Sequence, residues 1–221
     1  MGKMDDPKRV DLAGLRERYT RGGLLEQDLP ENPLQLFRQW IEEAVKASVA
    51  ESNAMSLSTV KPDGTPDARM VLLKGIEDGS LLFFTNYDSE KSMDLEKHPH
   101  AAGCMWWPEL ERQIRFVGPV EKLARTDSEE YFARRPRESQ IGAWASRQSK
   151  PIESRDVLQR RVEEMEKRFE GSEVPCPEQW GGYRILARRF EFWQGRPGRL
   201  HDRIRYLLRQ DARWKFERLS P

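Results

Sequence analysis

Cysteine is almost missing from this chain of 221 residues: there are two, Cys104 and Cys176, with no CxxC spacing between them. That excludes a disulfide framework and a Cys/His zinc module. Long apolar runs are missing too, since the longest, Ala101–Trp107, falls far short of the ~20 residues a membrane helix needs. The opening stretch MGKMDDPKRVDL carries charges but no apolar segment of the secretory kind. A cytoplasmic protein with no membrane partner is the expectation. No GxGxxG, GxxxxGK, HExxH or GxSxG sequence occurs, which removes the common nucleotide-loop, zinc-protease and serine-hydrolase readings. An overall excess of one charge is also lacking, because 38 Lys and Arg face 37 Asp and Glu.

What is present is charge in quantity, at 34 % of residues, together with 7 Trp, 9 Phe and 5 Tyr. Near-neutral net charge removes the self-repulsion that keeps disordered chains open, and the aromatics supply large apolar surfaces for a core. The charge is unevenly spread. Between Arg184 and Arg218 eleven Lys or Arg stand against four Asp or Glu, a block that suits a nucleic-acid footprint, a solvated strand face or a site for phosphorylated small molecules.

Residues 1–30 have little periodicity and read as an N-terminal arm; residues 31–221 read as the folded domain. Asn32 and Pro33 open a helix with Leu34, Phe37, Ile41, Ala44 and Val45 on one face. The period then changes to two. Met55–Val60, Ala68–Lys74 and Ser80–Thr85 are β-rich runs separated by Lys61-Pro62-Asp63-Gly64, Gly75 and Asp78-Gly79. A short helix is expected over Ser89–Lys97, then strands Ala101–Trp107 and Arg112–Leu123. Thr126-Asp127-Ser128-Glu129 has the pattern of a capping box for a helix running to Pro136, followed by helices over Ser139–Ala145 and 154–170. Strands return over Gly182–Gln194, Arg199–Leu208 and Ala212–Leu219. The pattern predicts a mainly β fold with inserted helices, one closed or split β-barrel under helical cover.

Four groups of basic residues stand where a bland surface would not need them. In Arg69-Met70-Val71-Leu72-Leu73-Lys74 an apolar strand has cationic ends, with Arg69, Val71 and Leu73 on one face. Lys91 falls in the first turn of a helix, where it opposes the helix dipole unless an anion sits there. Tyr131, Arg135 and Ser139 bring a phenol, a guanidinium and a hydroxyl towards one point, a plausible phosphate clamp; Arg134 and Arg137 read as solvated neighbours. Arg199, His201 and Arg203, in an extended strand, would project to one side close to Trp193. His98 and His100 flank Pro99 and look inert.

These segments, with Leu15-Arg16-Glu17-Arg18-Tyr19, Glu111-Arg112-Gln113, Ser139-Gln140-Ile141-Gly142-Ala143-Trp144, Gln148-Ser149, Trp180-Gly181-Gly182, Glu191-Phe192-Trp193-Gln194-Gly195 and Arg199-Leu200-His201-Asp202-Arg203, resemble the pyridoxine (pyridoxamine) 5′-phosphate oxidase family over nearly the whole chain. The resemblance implies a split-barrel homodimer with FMN at the subunit interface. It implies cofactor contacts from Arg69, Met70, Val71, Leu72, Lys74, Phe84, Thr85, Lys91, Gln113, Gln148, Ser149, Trp193 and Arg203. Substrate phosphate would meet Lys74, Tyr131, Arg135 and Ser139, with Arg199 and His201 over the pyridine ring as catalytic residues and Arg16 and Tyr19 closing above.

The implied reaction is oxidation of pyridoxamine or pyridoxine 5′-phosphate to pyridoxal 5′-phosphate, with O2 as acceptor and H2O2 as product. One departure stands out: the family commonly has a basic residue just before Lys91, and here it is Glu90. Two rivals are weaker. A split-barrel FMN-binding protein or flavin reductase would need Arg69 and Lys91 but not the substrate set. A nucleic-acid-binding barrel would spread its cations instead of setting them as Arg-x-His-x-Arg.

Overall fold

The Asn32 side chain accepts the Leu34 N–H at 3.0 Å, and Pro33, with no N–H to lose, fills the first turn. The computed structural model, which describes Tyr19, residues 22–77 and residues 79–221, continues from there as α1 (Pro33–Lys46). Its buried stripe centres on Phe37, Trp40 and Ala44. Val45, expected on that face, is 60 % exposed, because the line through Ile41 and Val45 runs along the edge of the stripe.

The strands are β1 (Ala54–Val60), β2 (Pro66–Leu72), β3 (Gly75–Glu77), β4 (Ser80–Asn86), β5 (His100–Trp107), β6 (Arg112–Lys122), β7 (Trp180–Ile185), β8 (Arg189–Gln194), β9 (Asp202–Leu208) and β10 (Trp214–Arg218). Every pairing is antiparallel. The order is β10-β9-β8-β6-β5-β1-β2, with β7 linking β6 to β4 and β4 to β3. Strand β6 serves both parts: Arg112–Val117 pair with β8, and Val120–Lys122 pair with β7. Between them stands Gly118, where a Cβ would lie 2.1 Å from the Leu186 carbonyl oxygen, so only glycine lets the chains cross there. The sheet curls about this crossing into the split barrel that the strand pattern predicts.

The core is an inward row, Met105–Ile114–Phe192–Ile204, carried in register across β5, β6, β8 and β9. α1 caps it, Trp40 meeting Phe192 edge-on at 5.3 Å and Phe37 meeting Phe116 and Phe190. A smaller cluster of Phe132, Ile141, Phe169, Val174 and Trp180 lies under α3 (Arg125–Ala133), α4 (Arg137–Ala145) and α5 (Arg155–Arg168). The segment before α1 is packed from Leu24 onwards: Leu24 is buried in the main core, and the Tyr206 hydroxyl donates to the Pro30 carbonyl at 2.9 Å. Among the described residues no helix is long and apolar enough to cross a membrane.

Several expectations need correction. The run Gly182–Gln194 is two strands, because the Leu186 and Arg188 N–H groups, at 2.9 Å from the Pro119 and Val117 carbonyls, swing the chain around the Gly118 crossing. The capping box does not form: α3 starts at Arg125 from an Ala124 cap with no side-chain bond. That helix also stops at Ala133, so Arg135 lies beyond it. Strand β9 begins at Asp202 and not at Arg199.

Candidate active site

One cavity of about 1150 Å³ opens between the β2 edge, the end of β4 and the α3–α4 junction. At one end β4 hands over to α2 (Glu90–Lys97) through a turn in which Ser89 Oγ donates to the Asn86 carbonyl at 2.7 Å. That turn aims Lys91 inward, and the residue is only 7 % exposed. Its Nζ meets Thr85 Oγ1 at 3.1 Å, Ser89 Oγ at 3.1 Å and Gln148 Oε1 at 3.2 Å, all neutral oxygens. Burial, helped by nearby Arg69, lowers its pKa to about 8. Arg69 lines the same end, with Nη1 donating to Thr59 Oγ1 at 2.7 Å and Nη2 to Asp67 Oδ2 at 2.9 Å. Met70, Leu72, Val71, Phe84 and Ser149 complete this wall, and Glu90 stands exposed at its lip.

The other end is built on stacked rings. Phe84 lies 3.9 Å from Tyr131, Tyr131 is nearly parallel to Trp180, and the Arg135 guanidinium sits 4.7 Å above Trp180. Arg135 Nη1 is buried and has no hydrogen-bond partner. Burial depresses the Arg135 pKa and raises that of Tyr131. Lys74 and Ser139 line the cavity beside them. Arg134 reaches the lining but is paired with Glu130. Arg137, expected to be solvated, instead donates to the Ser172 carbonyl at 2.9 Å and the Phe169 carbonyl at 2.6 Å, fastening α4 to the end of α5.

The remaining candidates gather elsewhere. Trp106, Gln113, Trp193 and Arg203 form one row in register across β5, β6, β8 and β9, next to the core row and on the opposite face. Arg203 donates to Glu191 Oε1 from Nε at 3.0 Å and Nη2 at 2.9 Å. Arg199 and His201 do not extend this row as a strand would require: Pro197–Arg199 is a 3-10 turn, with Arg199 at φ 62°. His201 nonetheless lies against Trp193, tilted, with ring centroids 4.6 Å apart, and meets Tyr19 edge-on at 5.3 Å. Its Nδ1 accepts the Arg196 N–H at 3.1 Å, and burial together with Arg199 lowers its pKa. Gln113, Trp193, Arg199, His201 and Arg203 are absent from the cavity lining. Arg16 lies outside the described residues.

Trp180 and Asp67 stand out among the lining residues that the motifs do not mark as site residues. Trp180 belongs to a motif but gives no sign that it is the platform under Arg135. Asp67 precedes Arg69 by two and so shares its strand face, a signal that was available.

Residues 41–169 match the family described as Pyridoxamine 5′-phosphate oxidase, and residues 180–221 match the Pyridoxine 5′-phosphate oxidase C-terminal dimerisation region. The chain is 51 % identical over 218 residues to a Pyridoxine/pyridoxamine 5′-phosphate oxidase of Rubrobacter xylanophilus, covering 99 % of this chain and all of that one. It is 51 % identical to the protein of the same name from Cupriavidus taiwanensis, covering 96 % of this chain and 100 % of that one. Among solved structures it resembles PhzG from Burkholderia lata 383, crystallised with tetrahydrophenazine-1-carboxylic acid, at TM-score 0.84 and 30 % identity, over 90 % of this chain and 98 % of that one.

Proposed function

The chain belongs to the pyridoxamine 5′-phosphate oxidase family, and from that premise we propose that it oxidises pyridoxamine or pyridoxine 5′-phosphate to pyridoxal 5′-phosphate, using FMN and O2 and releasing H2O2. The observation that carries this reading is Arg135: a guanidinium that lines the cavity while its Nη1 is buried and unpartnered is a cation short of an anion. The residues fit FMN as well. Lys91 is buried among neutral oxygens and α2 begins beside it, a donor set suited to a second phosphate. The cavity, slightly larger than the ~300–1,000 Å³ of usual small-molecule pockets, has a phosphate-type cluster at each end.

In this reading Arg69 and Lys91 hold the cofactor phosphate, Thr85, Gln148 and Ser149 meet its polar chain, and Met70, Val71, Leu72 and Phe84 form the wall. FMN, when bound, supplies the two-electron acceptor that the side chains lack and returns the electrons to O2. Lys74, Tyr131, Arg135 and Ser139 grip the substrate phosphate. That remote grip provides binding energy for orienting the ring, so unphosphorylated pyridoxine is expected to be a poor substrate. The second cluster, with Gln113, Trp193, Arg199, His201 and Arg203, serves the cavity of the other subunit in a homodimer. Support for this comes from its position, most of it within the region that matches the dimerisation segment. Tyr19, against Trp193 and His201, closes over the ring.

Because His201 Nδ1 accepts a backbone N–H, its neutral imidazole carries hydrogen on Nε2. His201 is therefore a donor that orients the substrate, and proton removal falls to water or to the substrate's own groups. A cytoplasmic location belongs to the same reading, supported by two unpaired cysteines. The test is the visible spectrum of the purified protein before and after anaerobic addition of pyridoxamine 5′-phosphate. A yellow protein that bleaches, then yields pyridoxal 5′-phosphate and H2O2 in air, is expected. A protein that binds no flavin, or a flavoprotein whose spectrum does not respond, would overturn the proposal.

A further inference from the structure

Arg69 is held from two sides. From beneath, its Nη1 donates to the Leu57 carbonyl at 3.2 Å and to Thr59 Oγ1 at 2.7 Å. Thr59 Oγ1 in turn donates to Asp94 Oδ2 at 2.6 Å, and that carboxylate, on α2, stands 3.6 Å from Arg69 Nη2. Asp94 is 3 % exposed and is a fixed part of the floor. On the cavity side the partner is Asp67, whose Oδ2 takes the Nη2 hydrogen at 2.9 Å. Asp67 differs from Asp94 in two ways: its side chain is 32 % exposed, and it has a second cation in reach, Lys61 Nζ at 4.0 Å. The Ala68 N–H and Arg69 hold its carboxyl below the usual range, so it is a full anion at neutral pH.

A carboxylate bonded to an arginine at a cavity wall is chemically a stand-in for a phosphate oxygen. We propose that Asp67 is an internal counter-ion for Arg69, which a ligand phosphomonoester displaces, and that Lys61 receives the displaced carboxylate. The proposal rests on the reading of this end as the cofactor-phosphate site. It makes Asp67 a competitor that sets cofactor affinity, while Asp94 and Thr59 keep the guanidinium in place during the exchange.

The test titrates the full-length protein, stripped of flavin, with FMN and with riboflavin, following quenching of flavin fluorescence. Asp67→Asn is expected to tighten FMN binding about fivefold or more, by a margin that shrinks as salt rises, and to leave riboflavin unchanged. Lys61→Ala is expected to weaken FMN binding in the wild-type background and to have no effect in an Asp67→Asn background, since Lys61 acts through Asp67. Unchanged or weaker FMN binding by Asp67→Asn, or a Lys61→Ala loss that persists in the double variant, would overturn the counter-ion role. Arg69→Ala separates the two levels. If it weakens FMN but not riboflavin, the phosphate site stands whatever Asp67 does; if it treats both alike, the reading beneath the proposal fails.

Discussion

Arg135→Met should separate what Arg135 does for the ligand from what it does for the fold. In the free protein its Nη1 is buried without a partner, and an unsatisfied buried donor costs about 1–3 kcal/mol. The guanidinium recovers part of that by lying 4.7 Å from the Trp180 ring, a contact of about 0.5–2 kcal/mol. Methionine keeps an unbranched apolar body over the ring, and its sulfur returns about 0.3–1.5 kcal/mol. Stability of the flavin-free variant is therefore expected to be equal to wild type or up to about 2 kcal/mol higher, seen as a higher urea midpoint at constant slope.

Substrate binding should move the other way. Loss of charge-assisted bonds to phosphate, about 1.5–3 kcal/mol, corresponds to a rise of about ten- to more than a hundredfold in KM for pyridoxamine 5′-phosphate, with flavin content intact. A variant destabilised by more than about 1 kcal/mol with an unchanged KM would refute the reasoning and make Arg135 a structural residue.

Lys91, with a pKa near 8 in the free protein, must be protonated to attract a dianion, so FMN affinity is expected to be flat below pH 8 and to fall about tenfold per unit above it. Riboflavin measured in parallel should show no such step, and an FMN affinity constant to pH 9.5 would exclude Lys91 from the phosphate site. Gly195→Ala would put a Cβ 2.6 Å from the Tyr19 ring; KM for substrate should rise several-fold with flavin content unchanged, whereas wild-type kinetics would show that Tyr19 takes no part. Arg199→Ala and His201→Ala should lower kcat/KM without releasing flavin, and His201→Gln, which keeps a donor at the Nε2 position, should retain more activity than His201→Ala.

Periodicity reads the β-rich architecture correctly because alternate residues such as Met105, Ile114, Phe192 and Ile204 face the core from short antiparallel strands. It fails at Gly118 and at Leu186–Arg188, where a crossing between two halves of the sheet, a tertiary event, breaks an apparently continuous strand. The capping box fails for a similar reason. Arg125, bonded to the Cys176, Pro177 and Trp180 carbonyls, fixes the helix start one residue ahead of Thr126. Lys91 was legible because a lysine in a helical first turn opposes the dipole. The closeness of His201 to Trp193 was legible but the strand geometry was not, since Gly198 and Arg199, both at positive φ, turn the chain before β9. That the candidates divide into two clusters follows from strand order, which no local pattern carries.

The two ends of the cavity are charged differently, and the difference suits two ligands with different residence times. At the Arg69 end the lining includes Asp67 and Glu90, the acids of the lining among the described residues, with Asp94 behind them. Asp67 and Asp94 already pair with Arg69, so its charge gives a phosphate less net gain there than an unpaired cation would. On the proposed function the cofactor is then retained largely by its ring against Met70, Val71, Leu72 and Phe84 and by the polar groups of Thr85 and Gln148. At the Arg135 end Lys74 and Arg135 face the cavity with no lining carboxylate opposite them. An uncompensated positive field speeds capture of a dianion and is screened by salt, which suits a substrate that must enter and a product that must leave in every cycle. On the proposed function, the fold leaves a guanidinium nitrogen unpaired at the end assigned to the substrate and pairs Arg69 with carboxylates at the end assigned to the cofactor.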